Sequence, residues 1–469
     1  MKPTYFFYDL ETTGLDTKSE QIMQFAGIRT DENFNIIGEP VNEMVEVSDD
    51  MIPDPFAILT TLKTPQETRE IGYTESQFAK ILDEEIFTPN TTIIGFNNIN
   101  YDDEIIRHFM WRNFKDPYAW HYKDGKSRFD VYNLILATYA LRPEGINFPV
   151  IEDKVSLRLE NLSKANGILH DNAHDALSDV KATIGIFKLV KEKQPKLVDY
   201  LFRMRDKRKI LELIGLDNKE GFLLVDRYVA DKSKTAVVLS ITPAKHQKVI
   251  VWDLKKDPSK YLDKATDELK KLYFSESKSL DEDEERLPIF QVNPSKMPII
   301  TPLSILKDEK IKERLDIDLE IVAKNRKILL ERPDFLEKVR SIFEDNEDFP
   351  VDLSFPETSL YCGFLTDEDT ITCRAISAMG EKELSDFHPI FHDDRLDNLL
   401  VHYKARNFPK SLTTNEKKSW DDFKNKRLEF LLKRYETSMK QIESKKELNK
   451  DQEFALKELY YWVQRVIEN

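Results

Sequence analysis

Residues 6–15 read FFYDLETTGL, and they set Asp9 and Glu11 two apart inside an otherwise apolar run. In a β-strand, residues i and i+2 point to the same face. The two carboxylates therefore share one side of a strand whose other residues belong in a core. Burying ionised acids bare is costly, and like charges side by side raise each other's pKa. Such a strand is either a surface alternation or one wall of a cation site.

The chain has 469 residues, 40% of them hydrophobic. That is enough for a large core and roughly two to four domains. No apolar run reaches the length of about eighteen residues that a spanning helix needs, so no membrane segment is expected. The start, MKPTYFFYDLE, has one lysine and then acids from position 9, unlike a signal peptide. Cys362 and Cys373 form neither a disulfide framework nor a CxxC motif, which points to a reducing, cytoplasmic setting. The net charge of −15 argues by itself against a phosphate-rich partner. A local basic groove can nevertheless coexist with an acidic exterior. RMRDKRK at 203–209 is the densest basic cluster, readable as a solvated helix face or as a phosphate contact.

Working outward from the opening strand, residues 1–193 alternate strand and helix signals. IMQFAGIRT (22–30) and FNIIGEPVNEMVEV (34–47) read as paired strands joined by the turn DEN. TESQFAKILDEEIF (74–87) reads as a helix, with Thr74 and Gln77 at capping-box spacing. TTIIGF (91–96) is a short buried strand, followed by a helix over 102–114. Residues 173–195 form a long helix ended by Pro195. This is an α/β domain with a mixed sheet. Over 194–349 the texture changes: TAVVLSITP and KVIVWDL are β-rich, SESKSLDEDEERLP is an acidic loop, and 305–343 is helical. Helical periodicity dominates 350–469. The reading is a larger α/β domain, a smaller β domain with appended helices, and a helical domain.

More acids join Asp9 and Glu11. GFNNINYDDE places Asp102 and Asp103 after a strand and at a helix N-terminus. NAHDALSD places His174 five residues before Asp179. Five residues turn through about 500° on a helix, so both cannot share a helical face. His174 sits on the entering loop, with Asp179 one turn inside. Carboxylates that converge in this way repel unless cations neutralise them, and an all-oxygen set suits Mg²⁺ or Mn²⁺. Two such ions support phosphodiester cleavage. A nearby histidine can take the proton of the attacking water. Taken singly, each motif has a structural reading. DxE is often surface alternation, and an Asp pair is often a cap or helix-dipole partner.

DxE, the later Asp and HxxxxD together resemble the DEDDh branch of the DnaQ-like 3′→5′ exonucleases. GFNNINYDDE, RNFKDPYAW, YALRPEGINFP, LRLENLSKANGI, NAHDALSDV and YKARNFP resemble the bacterial exonuclease I family of single-strand-specific exodeoxyribonucleases. The resemblance implies an RNase H-like exonuclease domain, an SH3-like domain and a helical C-terminal domain. It implies that Asp9, Glu11 and Asp179 ligate Mg²⁺ (two ions, with Mn²⁺ as a substitute), with Asp102 as the fourth acid and His174 as general base. Glu11 and Arg158 would bind substrate. Thr13 stands where the family carries phenylalanine, which implies one fewer apolar contact to the terminal nucleotide. The implied activity is 3′→5′ hydrolysis of single-stranded DNA to 5′-mononucleotides, in DNA repair and recombination. The alternatives are an RNA exonuclease or proofreading subunit of the same superfamily, or a non-catalytic single-strand-binding scaffold.

Holding a strand without reading it calls for cations along the backbone and aromatics under the bases. Arg107, Tyr118, Tyr122 and Lys207 are the candidates, with Tyr118 and Tyr122 on one side of DPYAWHY if that segment is extended. The resemblance further implies that Arg142 and Tyr200 dock the acidic C-terminal tail of single-stranded-DNA-binding protein. Nothing in the sequence demands an oligomer, so a monomer is expected.

Overall fold

The computed structural model describes residues 2–170, 175–275, 285–344, 351–445 and 447–468. The chain divides into two compact units, each assembled from separate segments. One comprises Met1–Asp130, Gly167–Ile186 and Phe349–Asn469, and the other Val131–Asn166 and Phe187–Asp348.

The first unit is organised on a five-stranded sheet: β1 (Thr4–Thr12), β2 (Ile22–Thr30), β3 (Val41–Met44), β4 (Thr91–Gly95) and β5 (Ser127–Asp130), in the order β3-β2-β1-β4-β5. β1 is central. It runs antiparallel to β2 from Tyr5↔Thr30, with a register shift between Glu11 and Thr12, and parallel to β4 from Thr4↔Thr91 to Phe7↔Ile94. The sheet is mixed, as the sequence suggests. β4 is buried along its whole length, which explains its unbroken TTIIG run. The expected strand over 34–47 forms as β3, with isolated bridges at Ile36 and Val45. Gly38 (φ +74°) and Pro40 interrupt it, and proline cannot donate to a ladder. Phe6, Tyr8, Phe25, Phe78, Phe87 and Phe109 fill the core on one face of the sheet. Each such side chain contributes about 1.5–3 kcal/mol on full burial. The Thr74–Gln77 capping box forms on Glu75–Ile81.

The C-terminal helices belong to this same unit. Helices Thr414–Lys445 and Lys450–Glu468 share a core with Met23, Met51 and Ile58, and Trp462 Nε1 donates to Met51 O at 2.8 Å. Helix Arg395–Asn407 packs with Trp111 and Phe114. A buried ionic network ties them together: Arg406 pairs with Asp50 at 2.8 Å and Glu357 at 2.7 Å, and Arg427 with Asp50 at 2.9 Å.

The second unit carries the small hairpin β6 (Val150–Ile151) and β7 (Lys154–Val155). Its main sheet is antiparallel: β8 (Phe222–Val225), β9 (Thr235–Pro243), β10 (Val249–Asp253), β11 (Ile289–Val292) and β12 (Ile299–Pro302), ordered β11-β10-β9-β8-β12. Phe222, Leu224, Val238, Val251 and Ile300 form its core. The helical stretch over 305–343 is divided into Glu309–Leu315, Leu319–Leu330 and Pro333–Ser341, broken by Asp316 (φ +48°) and by Pro333 at a helix start. The basic run 203–209 is not one helix face. It ends helix Pro195–Arg203 and begins helix Lys207–Ile214. Most of the expected acidic loop, 276–284, lies outside the described residues. Among the described residues, no helix is long and apolar enough to cross a membrane.

Candidate active site

Asp9 and Glu11 stand at the carboxyl end of β1, beyond the last β1–β4 pair, Phe7↔Ile94. In α/β sheets this is the end where ligands bind. Asp179 reaches the same point from the first turn of helix Ala176–Lys193. That turn is ordered by Asp175, whose carbonyl accepts from Asp179 N–H and whose carboxylate accepts from Ser178 N–H. Ligand atoms of Asp9, Glu11 and Asp179 all lie within 4.8 Å of one another.

Asp102 opens helix Asp102–Arg112 and is buried. The turn that delivers it bends at Asn97 (φ +64°), whose N–H donates to Asp130 Oδ1 at 2.8 Å. Burial, then the charges of Asp103 and Asp130, push the Asp102 carboxyl well above its ordinary range, while backbone hydrogen bonds at Asp102 itself and at Leu10 act against this. Burial pushes Asp9 up likewise, followed by repulsion from Asp102, Asp179 and Glu11. Glu11 is raised by burial, Asp179 and Asp102, with Lys63 pulling the other way. Lys63 pairs with Asp175 at 3.5 Å. A partly buried, mutually repelling, all-oxygen donor set is what a hard divalent cation neutralises, so these residues fit such an ion.

The neighbouring acid has a different task. Asp103 accepts from Tyr8 Oη at 2.6 Å and Asn98 Nδ2 at 3.0 Å, and pairs with Arg128 at 2.5 Å. Although burial alone would raise it, Arg128 and these donors hold its carboxyl below the usual range. Asp103 is a structural anchor of the helix start.

His174 lies outside the described residues. The structure brings a different histidine to the site: His170 Nε2 lies 2.5 Å from Asp179 Oδ1, with its ring almost fully buried. Sequence reasoning passed over His170, because the HxxxxD spacing drew attention to position 174. The signal in the sequence was a second histidine four positions before His174.

The candidate strand-binding residues divide by environment. DPYAWHY is not extended. Asp116 accepts from the Tyr118 and Ala119 N–H groups, and short helical turns follow at Ala119–His121 and Lys123–Gly125. Burial of Trp120 drives this, so the shared side expected for Tyr118 and Tyr122 does not arise from alternation. Tyr122 is 61% exposed, whereas Tyr118 is half-buried, with Arg107 5.7 Å from its ring centroid. Arg107 is itself buried, paired with Glu104 at 2.9 Å and donating to Tyr361 Oη at 3.1 Å. In the second unit, Lys207 contacts Gln247, and the exposed Arg158 lies 3.8 Å from Glu160. Arg142 and Tyr200 line one pocket of about 170 Å³ with Leu141, Lys196, Ile300 and Ile305. There Arg142 pairs with Asp308 at 3.2 Å, and Tyr200 Oη donates to Ile300 O at 2.8 Å.

Residues 6–187, which hold β1 and the first turn of helix Ala176–Lys193, match the family model described as Exonuclease. The acid cluster thus lies in an exonuclease domain, and the protein is an enzyme of that class. Residues 205–345 match the Exonuclease I SH3-like domain, and 354–466 the Exonuclease I C-terminal domain. The exodeoxyribonuclease I of Haemophilus influenzae is 37% identical over 462 residues, 97% of each chain. That of Escherichia coli is 39% identical over 421 residues, 89% of this chain and 88% of the relative. The crystal structure of E. coli exonuclease I in complex with a dA16 oligonucleotide superposes with a TM-score of 0.93 at 36% identity, covering 99% of this chain and all of that one. A zinc-bound E. coli complex with single-stranded DNA matches equally, at 0.93 and 35%. The chain belongs to the exodeoxyribonuclease I family.

Proposed function

We propose that this protein is a Mg²⁺-dependent 3′→5′ exonuclease that degrades single-stranded DNA to 5′-mononucleotides. The observation that carries this reading is the carboxylate cluster of Asp9, Glu11 and Asp179. Its support is a chain-long likeness to exodeoxyribonuclease I, including structures with bound oligonucleotide.

Asp9, Glu11 and Asp179 hold the metal, two ions of Mg²⁺ with Mn²⁺ as a substitute, and Asp102 adds a fourth charge. When bound, the metal supplies charge neutralisation and Lewis acidity at the scissile phosphate. His174 takes the proton of the attacking water, and Arg158 binds a phosphate near the cleaved bond. Arg107, Tyr118, Tyr122 and Lys207 contact the strand. Tyr122 offers an open ring face, and Arg107 backs Tyr118. Stacking tolerates every base, as an enzyme without sequence preference requires.

The working division is exonuclease 1–193, SH3-like 194–349 and helical 350–469. The Arg142–Tyr200 pocket receives the acidic C-terminal tail of single-stranded-DNA-binding protein, since a cationic rim around an apolar slot suits a terminal carboxylate. The protein acts as a cytoplasmic monomer in DNA repair and recombination. Product analysis on single-stranded DNA, duplex DNA and RNA tests the substrate assignment. Release of 5′-mononucleotides from single-stranded DNA alone supports it, and preferential digestion of RNA would overturn it.

A further inference from the structure

The loop that follows Glu11 rests on a buried carboxylate. Thr13 is fully buried; its hydroxyl donates to Glu20 Oε2 at 2.6 Å and accepts from the Gln21 N–H at 2.9 Å. Its backbone is held too: Thr13 N–H donates to Gln21 O at 3.0 Å, and Asp54 N–H donates to Thr13 O at 2.7 Å. Gly14 lies against the same carboxylate, so closely that a Cβ there would come within 2.8 Å of Glu20 Cδ. The threonine that departs from the family pattern is therefore turned inward.

The other oxygen of Glu20 pairs with Arg434, on helix Thr414–Lys445. Arg434 Nη2 also donates to Ile52 O at 2.8 Å, and Arg427 Nη2 donates to Ser19 O at 2.9 Å. Seven residues make about two helical turns, so both arginines reach the 19–20 segment from one helix face. Glu20 is fully removed from water and holds a partner on each oxygen. A buried carboxylate deprived of one partner moves toward water or draws in a substitute. Here Thr13 and Gly14 lie against it, two and three residues from Glu11.

We propose that Glu20 and Arg434 are positioning residues: together they fix the 13–15 loop and, through it, Glu11, so that the C-terminal helix takes part in setting the metal site. This rests on the reading of Asp9, Glu11 and Asp179 as metal ligands. Partners of metal ligands typically govern affinity or activity by about 10–100-fold.

The test uses the full chain and three variants, R434M, T13V and E20Q/R434M. Mn²⁺ binding is followed by electron paramagnetic resonance without DNA, and kcat and KM are measured on a single-stranded oligonucleotide. R434M and T13V are expected to lower Mn²⁺ affinity and kcat by roughly 10-fold, with KM unchanged. The double variant is expected to recover much of the loss of R434M, because the amide oxygen introduced by E20Q still accepts from Thr13 and no charge is stranded. R434M and T13V proteins that bind Mn²⁺ and turn over like the wild type overturn the proposal. So does a double variant no better than R434M. D9A separates the two readings: if Mn²⁺ binding survives it, the metal assignment itself falls, and this proposal with it.

Discussion

The Tyr8 hydroxyl donates to Asp103 Oδ1 at 2.6 Å, one residue beyond Asp102. The two adjacent acids therefore separate: Asp103 is neutralised by Arg128, while Asp102 joins the crowded carboxylates. Y8F removes a hydrogen bond to a charged acceptor, so it should cost about 1.5–3 kcal/mol of stability and leave kcat intact. D102N should do the reverse: it relieves a buried, repelled carboxylate, so the melting temperature of the metal-free protein should hold or rise while activity falls roughly 10–100-fold. Thermal melts beside single-turnover rates check both.

Asp9, Glu11 and Asp102 have carboxyl pKa values raised above those of the unfolded chain. In the metal-free protein the folded state then binds more protons, so their contribution favours folding at low pH and is lost as pH rises through the raised values. Metal binding requires the ionised forms and reverses the trend. The increase in melting temperature on adding Mg²⁺ should grow as pH rises through the raised values. In EDTA on the alkaline side of them, D9N should melt above the wild type, and Mg²⁺ should add little to it. Calorimetry across this range is the check.

The buried pair of Asp50 and Glu357 behaves oppositely. Despite burial, Arg406 and Arg427 hold Asp50 far below the usual range, and His402 and Arg406 do the same for Glu357. Their stabilisation is complete above the unfolded value of about 4 and is lost as pH falls toward the depressed values. D50N takes the buried carboxylate from Arg427 and leaves Arg406 with Glu357 alone, and should cost about 3–5 kcal/mol at neutral pH. Urea titrations should show the gap between D50N and wild type narrowing below about pH 4.

Tyr122 is open to solvent, so Y122A should leave the melting temperature unchanged and weaken binding of single-stranded DNA by about 1–3 kcal/mol. Y118A should lose stability as well, because Tyr118 packs against a core cluster that includes Trp111 and Phe114. Fluorescence anisotropy with a labelled oligonucleotide in EDTA reads binding without cleavage.

Much of the first sheet was legible because its signals are local. FFYDLET declares a strand with two acids on one side, and Thr74 with Gln77 declares a helix start. The convergence of Asp179 on Asp9 and Glu11 was not legible from periodicity, since it depends on how a helix far along the chain packs; only the family resemblance supplied it. DPYAWHY misled because one Asp116 carboxylate and the burial of Trp120 outweigh alternation. Thr13 read only as a lost apolar contact to the terminal nucleotide because its partner, Glu20, lies across a turn, and the partner of Glu20 lies on the C-terminal helix. Amphipathic periodicity announced the C-terminal helices, but it does not say which face they cover. Their core with Met23, Met51 and Ile58 is a long-range fact.

The most direct test of the account is a gel assay of a 5′-labelled single-stranded oligonucleotide with Mg²⁺, comparing wild type with D9A and with EDTA. A ladder that shortens from the 3′ end, abolished by EDTA and by D9A while D9A still binds the strand, is the result expected if Asp9, Glu11 and Asp179 hold the catalytic metal. Cleavage that persists in D9A, or that is indifferent to EDTA, would contradict it.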